Sequence, residues 1–187
     1  MDLINQLKSA DKKMKVLCIS GKAQHGKDTV ALALKGLMEM QNKNVLVAHY
    51  GDLVKYVCEK FFGWDGKKDE KGRALLQYVG TDVVRAKYPD YWVRFIADML
   101  EMFNGTWDYV LIPDCRFPNE IDVLRDQGLN VFHLRVVRPN FTSSLTEEQL
   151  KHISETALDN VEPDAFVINN ASLGKLTTQL MSMQELW

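Results

Sequence analysis

The stretch 20-SGKAQHGKDTVALAL-34 decides the fold. It follows the apolar run 14-MKVLCIS-20 and opens the helix-like segment 27–41. Strand, glycine loop and helix, in that order, are the setting in which Gly21-x4-Gly26-Lys27 forms a phosphate-binding loop. Gly21 and Gly26 let the backbone take conformations closed to other residues. Successive N–H groups then converge on one concavity, and the positive end of the helix faces it. Lys27 is placed to reach the β- and γ-phosphates of a triphosphate. Asp28 stands where the pattern has Ser or Thr, whose hydroxyl normally reaches Mg²⁺. A carboxylate is also a hard oxygen ligand, directly or through water. Thr29 offers another oxygen one residue on, so the metal position is expected to persist on Asp28 or Thr29.

Outward from this loop, short apolar runs alternate with longer helical patterns. The runs 15-KVLCIS-20, 44-NVLVAHY-50, 108-DYVLIP-113, 130-NVFHLRVV-137 and 165-AFVIN-169 are rich in Val, Ile and Leu and hardly alternate in polarity. Strands buried on both faces look like this. Helices are expected over 27–41, 52–62, 72–87, 90–104, 117–127, 146–159 and 173–185. Strand alternating with helix predicts an α/β fold, a three-layer open parallel sheet of about five strands flanked by helices.

With 187 residues, 46% apolar and 26% charged, the chain suits one globular domain over 1–187. Residues 1–13 read as a polar lead-in rather than a signal peptide. A net charge of −2 offers no bulk attraction to a polyanion, so a small-molecule partner is expected rather than long nucleic acid. No apolar run approaches the ~20 residues of a membrane span. Cys18, Cys58 and Cys115 are far apart and odd in number, which reads as buried reduced thiols in a cytoplasmic protein. Two segments exceed simple connections, 63-GWDGKKDEKGR-73 and 138-RPNFTSSLTEE-148; each reads as a lid or binding loop, or as plain solvated surface.

Asp114 ends a strongly apolar strand and so sits at the carboxyl edge of the sheet, where such sheets bind ligands. It either holds Mg²⁺ through water or caps the helix 117–127. Arg116, at the same edge, has a planar fork suited to a phosphate or to a structural ion pair.

Gly-Lys-Asp-Thr after the loop, 80-GTDVVRAKYPDYWV-93 and 114-DCRFPNE-120 together resemble the deoxynucleoside monophosphate kinases of bacteriophages, within the P-loop nucleoside monophosphate kinase group. The likeness runs from about residue 15 to 169. It implies ATP over the loop, Mg²⁺ beside it, a nucleotide acceptor in a second pocket, and a lid over both. In this resemblance Asp52 and Lys55 border the acceptor, with Lys55 toward its phosphate; Asp52 reads equally as a helix cap. Arg85 approaches the acceptor phosphate, or is a solvated arginine. Trp92, with Tyr91, walls the base pocket or packs in the core. Arg138 leads into the candidate lid 138–159 and covers the ATP phosphates. His152, Ser154 and Glu155 match a His-x-Ser-Glu pattern of the family, with a local structural role as the main reading. The assembly expected is a monomer or homodimer.

From Pro139 to Asp164 there is no arginine, although lids of this group often carry several. Transition-state charge then falls to Lys27, Arg116, Arg138 and Mg²⁺. The function expected is ATP-dependent phosphorylation of a (deoxy)nucleoside monophosphate. Two rivals stand beside it: a P-loop kinase acting on a modified DNA base or small phosphorylated metabolite, and a nucleotide-binding protein weak in catalysis.

Overall fold

Strand β1 (Lys15–Ser20) is the axis of the molecule, and its side chains explain the layering. Val16 and Cys18 point to one face of the sheet, Leu17 and Ile19 to the other, and all four are fully buried. The computed structural model describes residues 14–186, so the lead-in at 1–13 lies outside the described residues. Around β1 run β2 (Val45–Val47), β3 (Tyr109–Ile112), β4 (Asn130–Val137) and β5 (Ala165–Ile168). They form one parallel sheet in the order β2-β3-β1-β4-β5.

The helices are α1 (Lys27–Glu39), α2 (Tyr50–Phe62), α3 (Glu70–Gln77), α4 (Tyr91–Met102), α5 (Asn119–Asp126), α6 (Glu147–Lys151), α7 (Ile153–Thr156) and α8 (Leu173–Ser182). On one face of the sheet, Val16, Cys18, Val110 and Ile112 pack against Val93, Ala97 and Leu100 of α4 and Ile121 and Leu124 of α5. On the other, Leu17, Ile19, Leu111, Leu134 and Val136 meet Val30, Leu34 and Met38 of α1 and Leu176 and Leu180 of α8. Burying both faces is what keeps the strand sequences apolar throughout. The expected three-layer parallel sheet is thus observed.

Beyond shifts of a few residues at helix ends, the elements differ in three places, each for a local reason. The run 44–50 is strand only over Val45–Val47; His49 is extended (φ −131°, ψ 133°) and α2 begins at Tyr50. The expected helix 146–159 breaks at His152 (ψ 143°), whose ring Nδ1 accepts from the Ser154 N–H at 3.2 Å and so starts α7 afresh. The expected helix 72–87 is α3 followed by a π-helical stretch, Tyr78–Arg85. Among the described residues, no helix is long and apolar enough to cross a membrane. Cys18, Cys58 and Cys115 are buried and free, as expected of unpaired thiols.

Candidate active site

The loop after β1 has the conformation that its glycines require. Gly21 has φ +143° and Gly26 φ +88°, where L side chains are strained. A Cβ on Gly21 would lie 2.4 Å from the Val136 carbonyl oxygen, and one on Gly26 2.2 Å from Asn169 Nδ2. Asn169, just past β5, donates to His25 O at 2.9 Å and clamps the loop from the far side. The first-turn N–H groups of α1 lack intrahelical partners, the arrangement that lets a helix start receive an anion.

Lys27 folds over its own loop, donating to Gly21 O at 2.7 Å and Lys22 O at 3.1 Å. Its ammonium is largely buried and lies near Arg116, which together pull its pKa down to about 8. Asp28 is well exposed, and its Oδ1 lies 3.3 Å from His49 Nε2. His49 Nδ1 in turn lies 3.5 Å from Asp52, which pairs with Lys55 at 2.6 Å.

Asp114 has a role that the sequence reading did not include. Its two oxygens accept from Tyr50 N at 3.0 Å and Gly51 N at 2.8 Å. The carboxylate therefore caps α2, across the sheet edge, rather than the helix that follows it. A Cβ on Gly51 would come within 3.1 Å of Asp114 Oδ2, so a larger residue there would press on the carboxylate. The helix that follows is served instead by Glu120, which accepts from Arg116 N at 2.5 Å and Phe117 N at 3.0 Å.

Glu120 also holds Arg85, at 2.5 Å. Arg85 is not the solvated arginine of one reading. Its side chain is 12% exposed and stacks 3.9 Å over the Phe117 ring, and Nη1 donates to Asn119 Oδ1 at 3.0 Å. Burial pushes the Glu120 carboxyl up to about 7, while Arg85 and the two amides pull the other way. Three donors converge on it, Arg85 Nη2 and the amides of Arg116 and Phe117, and burial outweighs them.

Glu155 makes a second such pair. It takes the Arg116 guanidinium and accepts from Ala23 N of the phosphate loop at 2.8 Å. It is 9% exposed, so a residue read as local structure in fact joins α7 to the loop and to Arg116. Lys22 adds to the same seam, donating to Glu155 O at 2.6 Å. Arg135 anchors the segment beyond, donating to Leu158 O and Val161 O.

A cavity of about 420 Å³ runs from the phosphate loop to α3. It brings together Lys27, Asp28, Lys55, Arg85, Asp114 and Arg116. Gly21 lies in an adjoining cavity of about 250 Å³ behind the loop, which Arg116 borders as well. Gly26, Thr29, Asp52 and Arg138 do not line the main cavity. Gly26 shapes the loop from outside, and Asp52 is turned to His49 and Lys55. Arg138 lies over the Phe141 ring, 4.2 Å from its centroid, beside the loop rather than inside the cleft. Trp92 borders the cavity but is 3% exposed, and its Nε1 donates to Gly80 O at 2.9 Å. A ring so covered supports the wall and offers no open face for stacking. Tyr91 packs edge-on against it, at 5.0 Å.

Residues that sequence reasoning did not single out also line the cavity: His49 beside Asp28, and Lys68, Arg73, Gln77 and Thr81 on the far wall. The charge of 63–73 hinted at Lys68 and Arg73, and Thr81 lay within the quoted stretch 80–93 without being singled out.

The sequence profile of the deoxynucleotide monophosphate kinase family matches residues 64–180. The deoxynucleotide monophosphate kinase of Enterobacteria phage T4 is 36% identical over 110 residues, covering 58% of this chain and 43% of that protein. That of Escherichia phage RB69 is 34% identical over 110 residues, with coverages of 58% and 42%. A putative deoxynucleotide monophosphate kinase of Acanthamoeba polyphaga mimivirus is 27% identical over 125 residues, with 59% of each chain covered. The chain spans about half the length of the relatives it matches. Among solved structures, a Mycobacterium tuberculosis APS kinase in complex with AMPPNP and APS superposes with a TM-score of 0.54 at 15% identity, over 93% of this chain and 99% of that one. A sugar kinase from Janibacter gives 0.53 at 14% identity, over 93% and 95%. At that identity the likeness bears on fold alone.

Proposed function

The chain belongs to the deoxynucleotide monophosphate kinase family, and from that premise we propose that it transfers the γ-phosphoryl group of ATP to a deoxynucleoside monophosphate. The products are the deoxynucleoside diphosphate and ADP. The supporting observation is a single cavity with two cationic ends. The phosphate loop with Lys27 forms one, Lys55 and Arg85 line the other, and Arg116 stands between them, near Lys27.

Phosphoryl transfer needs in-line positioning and positive charge around the moving group more than covalent help from the protein. The amides of residues 21–29 hold the triphosphate, and Lys27 turns from Gly21 O and Lys22 O onto its outer phosphates. The acceptor phosphate lies toward Arg85, Arg116 and Lys55. One of its oxygens bonds to the γ-phosphorus as the bond to the β–γ bridging oxygen breaks. The acceptor is already anionic, so no general base is required. Asp28 and Asp114 border the phosphate end and are the carboxylates that would hold Mg²⁺. That ion takes one or two carboxylates and completes its shell with phosphate oxygens and water. When bound it neutralises charge on those oxygens. Glu155 has to yield the Ala23 amide and Arg116 as phosphates arrive, which makes the 138–159 segment the lid of this mechanism.

The test is ADP release from ATP and Mg²⁺ with each ribo- and deoxynucleoside monophosphate in turn. The expected result is ADP formation that depends on at least one deoxynucleotide. ATP binding without transfer to any of them would overturn the proposal and leave the nucleotide-binding reading.

A further inference from the structure

Four residues of the far wall recur at every fourth position: Arg73, Gln77, Thr81 and Arg85. All four line the cavity. In an α-helix a step of four residues overshoots a full turn by ~40°, so such a row drifts round the helix. Here the helix changes type midway. Arg73 and Gln77 lie on α3, whereas Thr81 and Arg85 lie on the π-helical stretch Tyr78–Arg85. Its wider turn, closed by i→i+5 bonds, makes the same step undershoot. The two drifts oppose each other, and the row stays on one face. The Ala86 N–H to Thr81 O bond belongs to this wider register. Gly80 O, which accepts from Trp92 Nε1 at 2.9 Å, ties the stretch to α4. A Cβ on Gly80 would lie 3.1 Å from Val54 Cγ1, so the row and α2 close together there into a slot.

The row is chemically graded. Arg85 and Arg73 are cationic, whereas Gln77 and Thr81 between them are neutral. Apolar Val54 and Leu76 line the same cavity. Among the described residues, neither the Gln77 carboxamide nor the Thr81 hydroxyl has a side-chain hydrogen bond to another protein group. Charged groups suit a phosphate. A carboxamide and a hydroxyl beside an apolar slot suit a flat ring with donors and acceptors on its edge. At no more than ~1.5 Å rise per residue, Gln77 stands within ~12 Å of Arg85 along the row. That is within reach of a nucleotide laid with its phosphate at Arg85.

We propose that Gln77 and Thr81 read the nucleobase of the acceptor and set which deoxynucleotide is preferred. This rests on the kinase reading above, and its test is arranged to separate the two. The full chain, Gln77→Leu, Gln77→Glu and Thr81→Val are compared for kcat/KM with dAMP, dCMP, dGMP and dTMP, for KM of ATP, and for equilibrium affinity of each deoxynucleotide by calorimetry. In Gln77→Leu the ratio of best to worst deoxynucleotide should fall by about tenfold or more, because a site built to hydrogen-bond loses discrimination with its polar group. The KM for ATP should stay within about twofold, since ATP binding uses the other end of the cleft. Gln77→Glu keeps the size, trades donors for acceptors, and should reorder the four. Should every variant scale all four deoxynucleotides by one factor, or should the wild type bind them alike or not at all, the inference falls. If the wild type binds with a preference that Gln77→Leu erases, yet transfers no phosphate, the inference stands and the kinase reading falls.

Discussion

The phosphate-loop end of the cleft and its far wall are built from opposite materials. The loop end is one contiguous stretch, residues 21–29, made chiefly of backbone amides and a helix terminus. The far wall is made of side chains drawn from α2, α3, the π-helical stretch and the turn after β3. A backbone site depends on glycines and on local geometry, so it serves any triphosphate tail. A side-chain site depends on residue identity and long-range packing, so it can choose between acceptors.

The contrast can be broken or sharpened by substitution. The largest effect is expected for Lys27→Ala, which removes a charge aimed at the transferring group. Loss of one such contact costs ~10²–10³ in kcat. A normal turnover number with only a raised KM for the acceptor would place Lys27 at the wrong end of the cleft.

Next comes Arg85→Ala. It strands the buried carboxylate of Glu120, which is 2% exposed, and breaking such a pair costs ~3–5 kcal/mol. Urea denaturation should register this loss. The double change Arg85→Met with Glu120→Gln should recover much of it, because it leaves no unpaired charge.

The two ends should also titrate apart. Lys27, held near 8 by burial, loses its charge as pH rises through that value, so affinity for an ATP analogue should fall between about pH 7 and 9. Lys27→Arg should flatten that fall. At the far wall the native state binds a proton on Glu120 more tightly than the unfolded chain does. Its contribution to stability is therefore fully present below the ordinary 4.5 and is lost as pH rises through about 7. His133, buried within β4 and paired with Ser20 Oγ at 2.7 Å, lies outside both ends and runs the other way. Burial pulls it down to about 4, so its share is present above 6.5 and lost as pH falls through 4. The unfolding free energy of wild type minus that of Glu120→Gln isolates the first slope, and its absence would show that the pair is ionised across the whole range.

The smallest effect is expected for Asp52→Asn. Asp52 pairs with Lys55 at 2.6 Å, but its side chain is 61% exposed, and such pairs contribute ~0–1 kcal/mol. A large drop in turnover would return Asp52 to the site that the resemblance gave it.

Several site residues were legible in sequence because their cues are local. Gly21, Gly26 and Lys27 announce themselves by spacing, and β1, β3 and β4 by apolar runs that need both faces covered. Arg85 and Arg116 were seen as candidates, but not their carboxylate partners. Asp114 was read against the helix next to it, whereas the α2 amides that it accepts from lie 63 and 64 residues earlier in the chain. Gln77 went unseen, and Thr81 was quoted only as part of a motif, because nothing in 72–87 distinguishes an α from a π register, and their alignment exists only when the register changes.

By itself, then, the sequence determined the parallel sheet, the phosphate loop at its carboxyl edge and the family, since periodicity, glycine spacing and motif order are properties of neighbouring residues. Only the tertiary structure decided which carboxylate holds which arginine, that Glu155 reaches the loop, that Trp92 is a support rather than a stacking face, and that a π-helical turn aims a polar row into the cleft. Those outcomes depend on desolvation and contact between segments far apart in the chain, and a buried charge takes whichever partner packing brings within reach.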